Sequence, residues 1–143
     1  MLTEENLVRI LSNETEKLCL ENHYWLSTKF VAKIGWMAPN LQNLSLRRMP
    51  NISNVVFADI FRELHALVSV DLCDCTELYP SSVQLLARNN ANLEYLQLSG
   101  CFQAIDDSSL RLISKLPNLT FMDISHSRSL TDKALEVYKD KTT

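Results

Sequence analysis

Apolar residues recur along the chain in one short motif with the spacing Leu-x-x-Leu-x-Leu. Its four clear copies, in which Val, Met or Ile replaces some leucines, begin at Leu41, Leu67, Leu93 and Leu119. Each copy begins 26 residues after the previous one (41, 67, 93, 119), and a degenerate copy begins another 26 residues earlier at Thr15, with Leu18 and Leu20 in its frame. A fixed period of this length predicts five similar units stacked in a row.

Each unit combines two different patterns. The apolar motif alternates as in a short strand, whereas the second half of the unit has apolar residues at helical spacing. Residues that favour helix starts precede these helical stretches, namely Ser27, Ser53, Pro80, Asp106 and Thr131. The helices are expected at about 27–37, 54–64 and 132–140, with equivalents in the other units. We therefore predict an α/β fold, a short curved right-handed solenoid with a parallel concave sheet and helices on the convex side.

The chain divides into a cap and a repeat region. Residues 1–14 are expected to form an N-terminal capping helix, in which Thr3 is the N-cap and Leu7, Ile10 and Leu11 cover the open end of the core. Residues 15–143 are expected to form the repeat region, and both parts make one structural unit. The last strand, at 120–124, has no following strand, so its edge is a candidate for pairing with a partner.

The ninth position of the repeat carries small or apolar residues, which are His23, Met49, Cys75, Cys101 and Ser127. With Ile105-Asp106-Asp107 and Leu130-Thr131-Asp132 further on, the pattern resembles the cysteine-containing leucine-rich repeats of F-box/LRR proteins and of antagonist-of-mitotic-exit-network proteins. The resemblance implies a leucine-rich-repeat fold and recognition of proteins through the concave face. It does not extend to ubiquitin-ligase activity, because the residues before the first repeat are too few for an F-box.

Positions three, five, seven and eight of each repeat are expected to project from the concave sheet. They provide the candidate partner-binding residues, which are Tyr95, Phe121, Arg47, Arg48, Asp71, Asp74, Gln97, Asp123 and His126. Two exposed aromatic rings on neighbouring strands favour a binding site, although a cross-strand packing pair is the alternative. The two arginines could bind a carboxylate or phosphate, but salt bridges with the two nearest aspartates are favoured. His126 is interpreted mainly as a solvated loop residue.

The remaining chemistry is sparse. Cys73 and Cys75 lack the further ligands of a zinc site, and Cys75 and Cys101 are expected to be reduced, buried thiols. Trp25, Trp36, Phe57 and Phe61 are expected to fill core or convex gaps.

Composition excludes several classes of function. The chain has 143 residues, 46% hydrophobic and 22% charged, and a net charge of −3, which argues against non-specific binding to nucleic acid or anionic membrane. Its two glycines lie in no phosphate-binding loop, no apolar run is long enough to span a bilayer, and no catalytic constellation is present. We expect no cofactor, no metal and no small-molecule substrate, and a location inside the cell, in the cytoplasm or nucleus.

Two functions remain open, and a third, nucleic-acid binding, depends on Arg47 and Arg48 alone. The first is a non-enzymatic interaction module or adaptor that recognises a protein partner through the concave face. The second is a structural subunit of a large ciliary, cytoskeletal or mitochondrial assembly, held by its ends and convex helices.

Overall fold

The computed structural model describes residues 1–134 and 136. Helices and strands alternate along the chain in the order α1 Glu4–Ile10, β1 Lys17–Cys19, α2 Thr28–Ala32, α3 Ile34–Met37, β2 Asn43–Ser45, α4 Asn54–Glu63, β3 Ser69–Asp71, α5 Pro80–Asn89, β4 Tyr95–Gln97, α6 Asp107–Ile113 and β5 Phe121–Asp123. The five strands form one parallel sheet in chain order. The predicted α/β solenoid is confirmed.

The sheet keeps the 26-residue period without a slip. The central residues of the strands pair in the series Leu18, Leu44, Val70, Leu96 and Met122. These side chains point toward the helices, and the leucines that open the motif at 41, 67 and 93 are fully buried beside them. Burying one such side chain contributes about 1.5–3 kcal/mol, so the repeated motif is a substantial source of core stability, together with buried helix residues such as Phe57 and Phe61.

Helix starts follow the sequence signals closely. Ser27, Ser53 and Asp106 each accept a hydrogen bond from the backbone N–H three residues later, as N-caps do. Helix α5 differs, because its N-cap Tyr79 makes no side-chain bond. Instead, the side chain of Asn54 in the preceding repeat accepts the Tyr79 N–H at 3.0 Å, so one repeat caps the helix of the next.

The helix expected at 27–37 is divided at Lys33 into α2 and α3. Gly35 permits the close packing of this segment on α4, since a Cβ at this position would lie 2.6 Å from the carbonyl oxygen of Ile60. Much of the helix expected at 132–140, including Leu135 and Tyr138, lies outside the described residues.

Three apolar residues lie elsewhere than expected. In α1, Leu7 is buried in the core, but Ile10 is 65% exposed because the helix ends there and turns this side chain outward. Trp25 and Trp36 were expected to fill gaps, yet both are exposed, Trp36 by 74%. Phe57 and Phe61 do fill the core, with ring centroids 6.1 Å apart.

Candidate functional site

An aromatic pair dominates the concave face. The register of the sheet places Tyr95 of β4 directly beside Phe121 of β5. Their rings stack with centroids 4.2 Å apart and an interplanar angle of 11°, and they remain 36% and 40% exposed. The predicted juxtaposition is therefore present, and the stacked pair leaves a substantial apolar surface in water.

A hydrogen bond from a neighbouring side chain fixes the position of the Tyr95 hydroxyl. Gln97 donates from Nε2 to the Tyr95 hydroxyl at 2.9 Å, and the Cys73 thiol lies 3.7 Å from Gln97 Oε1. Cys73 was expected to project into solvent, but only 4% of it is exposed. Burial, followed by the hydrogen bond and charge of Asp71, raises the pKa of the Cys73 thiol to about 11, so it is protonated near neutral pH.

The two arginines are engaged with acidic side chains, as predicted. Arg47 lies 3.7 Å from Asp71, and Arg48 lies 3.7 Å from Asp74. Both arginines also approach Glu21 of the first repeat, at 3.9 and 3.7 Å, a partner that the sequence analysis did not identify. The four pairs form one network across three repeats, although its geometry leaves Arg47 Nε buried without a hydrogen-bond acceptor among the described residues.

Asp123 has a different environment from these paired carboxylates. It accepts hydrogen bonds from the backbone N–H and hydroxyl of Ser125 at 2.9 and 2.5 Å, and these bonds hold its pKa below the usual range. No lysine, arginine or histidine nitrogen forms a salt bridge with it in the described part of the chain. The carboxylate therefore presents a negative charge beside the aromatic pair.

The eighth position of every repeat has a left-handed backbone conformation. The φ values are positive at Asn22, Arg48, Asp74, Gly100 and His126, and at no other described residue. Asn, Asp and Gly favour this conformation, so their recurrence at the eighth position indicates a left-handed residue there. The pattern is incomplete in the sequence, because Arg48 and His126 occupy the same position in two repeats. Both side chains are exposed, and their direction is fixed by the turn that follows each strand.

Small side chains line the rest of the concave face. A groove of about 460 Å³ runs over β1, β2 and β3, and its lining includes Cys19, Asn43, Ser45 and Ser69. The aromatic pair follows on β4 and β5, so this open groove is continued by a projecting apolar pair. These small residues occupy repeat positions that were expected to face the concave side, but the sequence analysis did not predict a groove.

Within residues 1–134 and 136, no group of three or more His, Cys, Asp and Glu side chains is arranged to hold a metal ion. Among the described helices, none has the length and apolar character needed to cross a membrane. The ninth-position thiols have structural partners, because Cys75 and Cys101 donate to the carbonyl oxygens of Leu46 and Leu72 in the preceding repeats, at 3.0 and 2.8 Å.

No protein-family model matches the chain, and a comparison with curated proteins gives no match. Solved structures do match. A chain in the crystal structure of the yeast Rad7 and Elc1 complex has a TM-score of 0.64 and 26% identity, and the match covers 76% of this chain. This chain spans only 27% of the length of that one.

Two further solved structures share the fold. The C-terminal domain of Caenorhabditis elegans tropomodulin has a TM-score of 0.70 and 12% identity, covering 97% of this chain and 89% of its own. The leucine-rich repeat-containing protein LegL7 from Legionella pneumophila has a TM-score of 0.57 and 18% identity, covering 99% of this chain and 49% of its own. Together with the uninterrupted register of the sheet, these matches show that the chain has the leucine-rich-repeat fold.

Proposed function

We propose that this chain is a non-enzymatic protein-interaction module whose concave face binds a protein partner. The observation that carries the proposal is the exposed stack of Tyr95 on Phe121. Aromatic residues are enriched among the side chains that dominate binding energy, and burying apolar surface contributes about 25 cal/mol per Å².

The surroundings of the stack suit this role. The hydrogen bond from Gln97 and the contact between the rings fix Tyr95 before any partner arrives, which lowers the entropic cost of binding. The shallow groove beside the stack leaves room for the main chain of a partner. Charged residues around it, including Asp123, which forms no salt bridge with the described residues, would select the partner by its charge pattern.

The candidate residues divide into two roles under this proposal. Tyr95, Phe121 and Gln97 form the anchor, while the network of Arg47, Arg48, Asp71 and Asp74 defines the charge of the neighbouring surface, and Asp123 and His126 lie at the rim. Because the arginines already face carboxylates, they are less suited to phosphate or nucleic acid than free cations would be. We infer no nucleic-acid, membrane, cofactor or small-molecule ligand.

The similar structures supply further support. The yeast match comes from a complex of two proteins, Rad7 and Elc1. The cysteine at the ninth position supports the finer assignment to cysteine-containing leucine-rich repeats. All four cysteines are free, which supports a location inside the cell, in the cytoplasm or nucleus.

A second function is favoured by the convex side. Trp36 of α3 and Val55 of α4 are 74% and 69% exposed, and α3 packs against α4. An apolar surface of this kind would suit a structural subunit held in a large assembly by its convex helices.

The two functions are separated by paired variants in affinity capture from a native extract. We expect the Tyr95→Ala, Phe121→Ala double variant to lose a stoichiometric partner, with affinity at least about tenfold lower, because truncated hot spots each cost about 2 kcal/mol. The matched convex variant, Trp36→Ala with Val55→Ala, is expected to retain that partner. Circular dichroism controls for folding, and loss of the partner by the convex variant alone would establish the assembly function instead.

A further inference from the structure

The last strand of the sheet offers backbone donors in a pattern that the inner repeats use four times. Where two repeats meet, the backbone N–H of the sixth residue of one repeat donates to the backbone carbonyl of the fifth residue of the next, at 2.8–3.0 Å. The four donor–acceptor pairs are Leu20 to Ser45, Leu46 to Asp71, Leu72 to Gln97 and Leu98 to Asp123. The equivalent donor in the fifth repeat is Ile124 N–H. It has no acceptor among the residues that the structure describes.

A second donor follows two residues later. The backbone N–H of the eighth residue of one repeat donates to the backbone carbonyl of the seventh residue of the next, at 2.8–3.3 Å. The four donor–acceptor pairs are Asn22 to Arg47, Arg48 to Cys73, Asp74 to Ser99 and Gly100 to Ser125. His126 N–H is the equivalent group, and it too lacks an acceptor within residues 1–134 and 136. Its positive φ is shared with the other four eighth positions, so this N–H is oriented as theirs are. The edge is thus a template for one more parallel strand.

The side chains of β5 indicate which residues an added sixth strand would need. One face of the Phe121 ring is covered by Tyr95, and its other face makes no ring or cation contact with the described residues. A residue at the third position of an added strand would lie where it could extend the stack, as Tyr95 does on Phe121 at one strand spacing. An aromatic side chain fits this position.

Charge complementarity defines the neighbouring position. Glu21, Asp71 and Asp74 each face an arginine, whereas among the described residues the Asp123 carboxylate accepts hydrogen bonds from Ser125 and forms no salt bridge. Glu21, in the turn after β1, lies near Arg47 and Arg48 of the next repeat, so a carboxylate of one repeat can pair with a base from the repeat that follows, whereas Asp71 and Asp74 pair with the same arginines from the repeat before them. A lysine or arginine on an added strand would form an ion pair with the Asp123 carboxylate.

We propose that an extended segment of a partner protein binds along β5 as a sixth parallel strand. Two of its carbonyls accept hydrogen bonds from Ile124 N–H and His126 N–H, an aromatic residue stacks on Phe121, and a lysine or arginine two residues later pairs with Asp123. The inference rests on the proposed function, because Phe121 belongs to both, and it specifies the form and the sequence of the partner.

The test selects peptides from a display library of random nonapeptides on the folded full chain. We expect an enriched aromatic-x-Lys/Arg motif. Amide hydrogen exchange by NMR should then show slower exchange at Ile124 and His126 when the selected peptide is bound, because their N–H groups gain acceptors. Methylating the amide nitrogen of the basic residue in the peptide should weaken binding by about fivefold or more, since an added parallel strand donates through that group to β5.

The charge is tested separately. Asp123→Asn should weaken the selected peptide by about fivefold and remove most of the salt dependence of binding, as expected for one partly exposed ion pair. Asp59→Asn on α4, a half-buried aspartate outside the sheet that pairs with Arg62, is the control for removing one carboxylate and should bind as the wild type does.

Three outcomes would overturn the inference. They are enrichment of peptides without the motif or of none at all, unchanged exchange at Ile124 and His126 in the bound state, and concentration-dependent self-association that protects β1 and β5 together, which would make a second copy of this chain the occupant. The proposed function fails independently, when the Tyr95→Ala, Phe121→Ala variant keeps its partner in affinity capture. If that variant loses its partner but the Ile124 and His126 amides of the wild type are not protected from exchange in the bound state, the partner binds the concave face without adding a strand.

Discussion

Asn90 is a fully buried amide whose side chain joins two repeats. Its Oδ1 accepts the N–H of Leu67 at 2.8 Å, and its Nδ2 donates to the carbonyls of Leu64 and Leu86 at 3.0 and 2.9 Å. Leu64 lies near the end of the preceding repeat, while Leu67 and Leu86 belong to the repeat of Asn90, so one side chain bonds the end of one repeat to the first residue and the helix α5 of the next. Nothing in the spacing of apolar residues marks this role.

Asn90→Ala should lower the free energy of unfolding by about 3 kcal/mol, because it leaves three buried backbone groups without partners. Urea unfolding followed by circular dichroism measures the change. The matched control is Asn89→Ala, which removes a single bond from Nδ2 to the Phe61 carbonyl at 3.0 Å and should cost about 1 kcal/mol. Equal losses in the two variants would contradict the structural role of Asn90.

At this scale the sequence predicts which residues lie side by side, but not how far their neighbours cover them. Tyr95 and Phe121 were placed side by side because a constant period fixes the register between strands. Cys73 lies on the concave side as the alternation predicts, because its thiol is 3.7 Å from Gln97 Oε1 and beside Asp71. Its burial was not predicted, since the alternation gives the direction of a side chain and not how much its neighbours cover it.

Among the elements, the turn after each strand is the most uniform, since its eighth residue has φ between 57° and 77° in all five repeats. A non-glycine residue in this conformation costs about 1 kcal/mol relative to glycine. The fifth turn carries His126, which is exposed and forms no salt bridge among the described residues.

His126→Gly should therefore raise the free energy of unfolding by about 0.5–1 kcal/mol, as strain at a left-handed residue is relieved. Thermal and urea unfolding measure the gain. Gln103→Gly is the control, because Gln103 is an exposed loop residue without a positive φ. This substitution should lower stability by about 0.5 kcal/mol, through the greater freedom of glycine in the unfolded chain. A loss in both variants would refute the strain at His126.

Helix starts were predictable because their signals are local. Ser27, Ser53 and Asp106 are polar residues whose side chains bond the first turn of their own helix. The division of α2 from α3 was missed, since it depends on how Gly35 packs against the Ile60 carbonyl in the next repeat. Such a contact between repeats leaves no trace in a local pattern.

Over the whole molecule, the buried side chains form one continuous cluster from Leu7 to Ile113. No boundary in this core separates one repeat from another, and side chains such as Asn54 and Asn90 bond across the junctions. Units coupled in this way unfold together, because a lone repeat exposes both of its faces.

Unfolding in urea should accordingly give the same midpoint by tryptophan fluorescence and by far-ultraviolet circular dichroism. Both tryptophans, Trp25 and Trp36, lie in the first repeat, whereas circular dichroism reports helices and strands throughout the chain. A fluorescence midpoint at lower urea would show that the first repeat separates from the others, and the coupling inferred from the core would then be wrong.

The buried thiols give the repeats a direction. Cys75 donates to the Leu46 carbonyl and Cys101 to the Leu72 carbonyl, so each of these repeats satisfies a group in the repeat made before it. During synthesis the chain leaves the ribosome from its N-terminus, so at these two junctions the accepting carbonyl is made before the thiol that donates to it. A chain that stops short of Cys101 therefore leaves the Leu72 carbonyl without this donor.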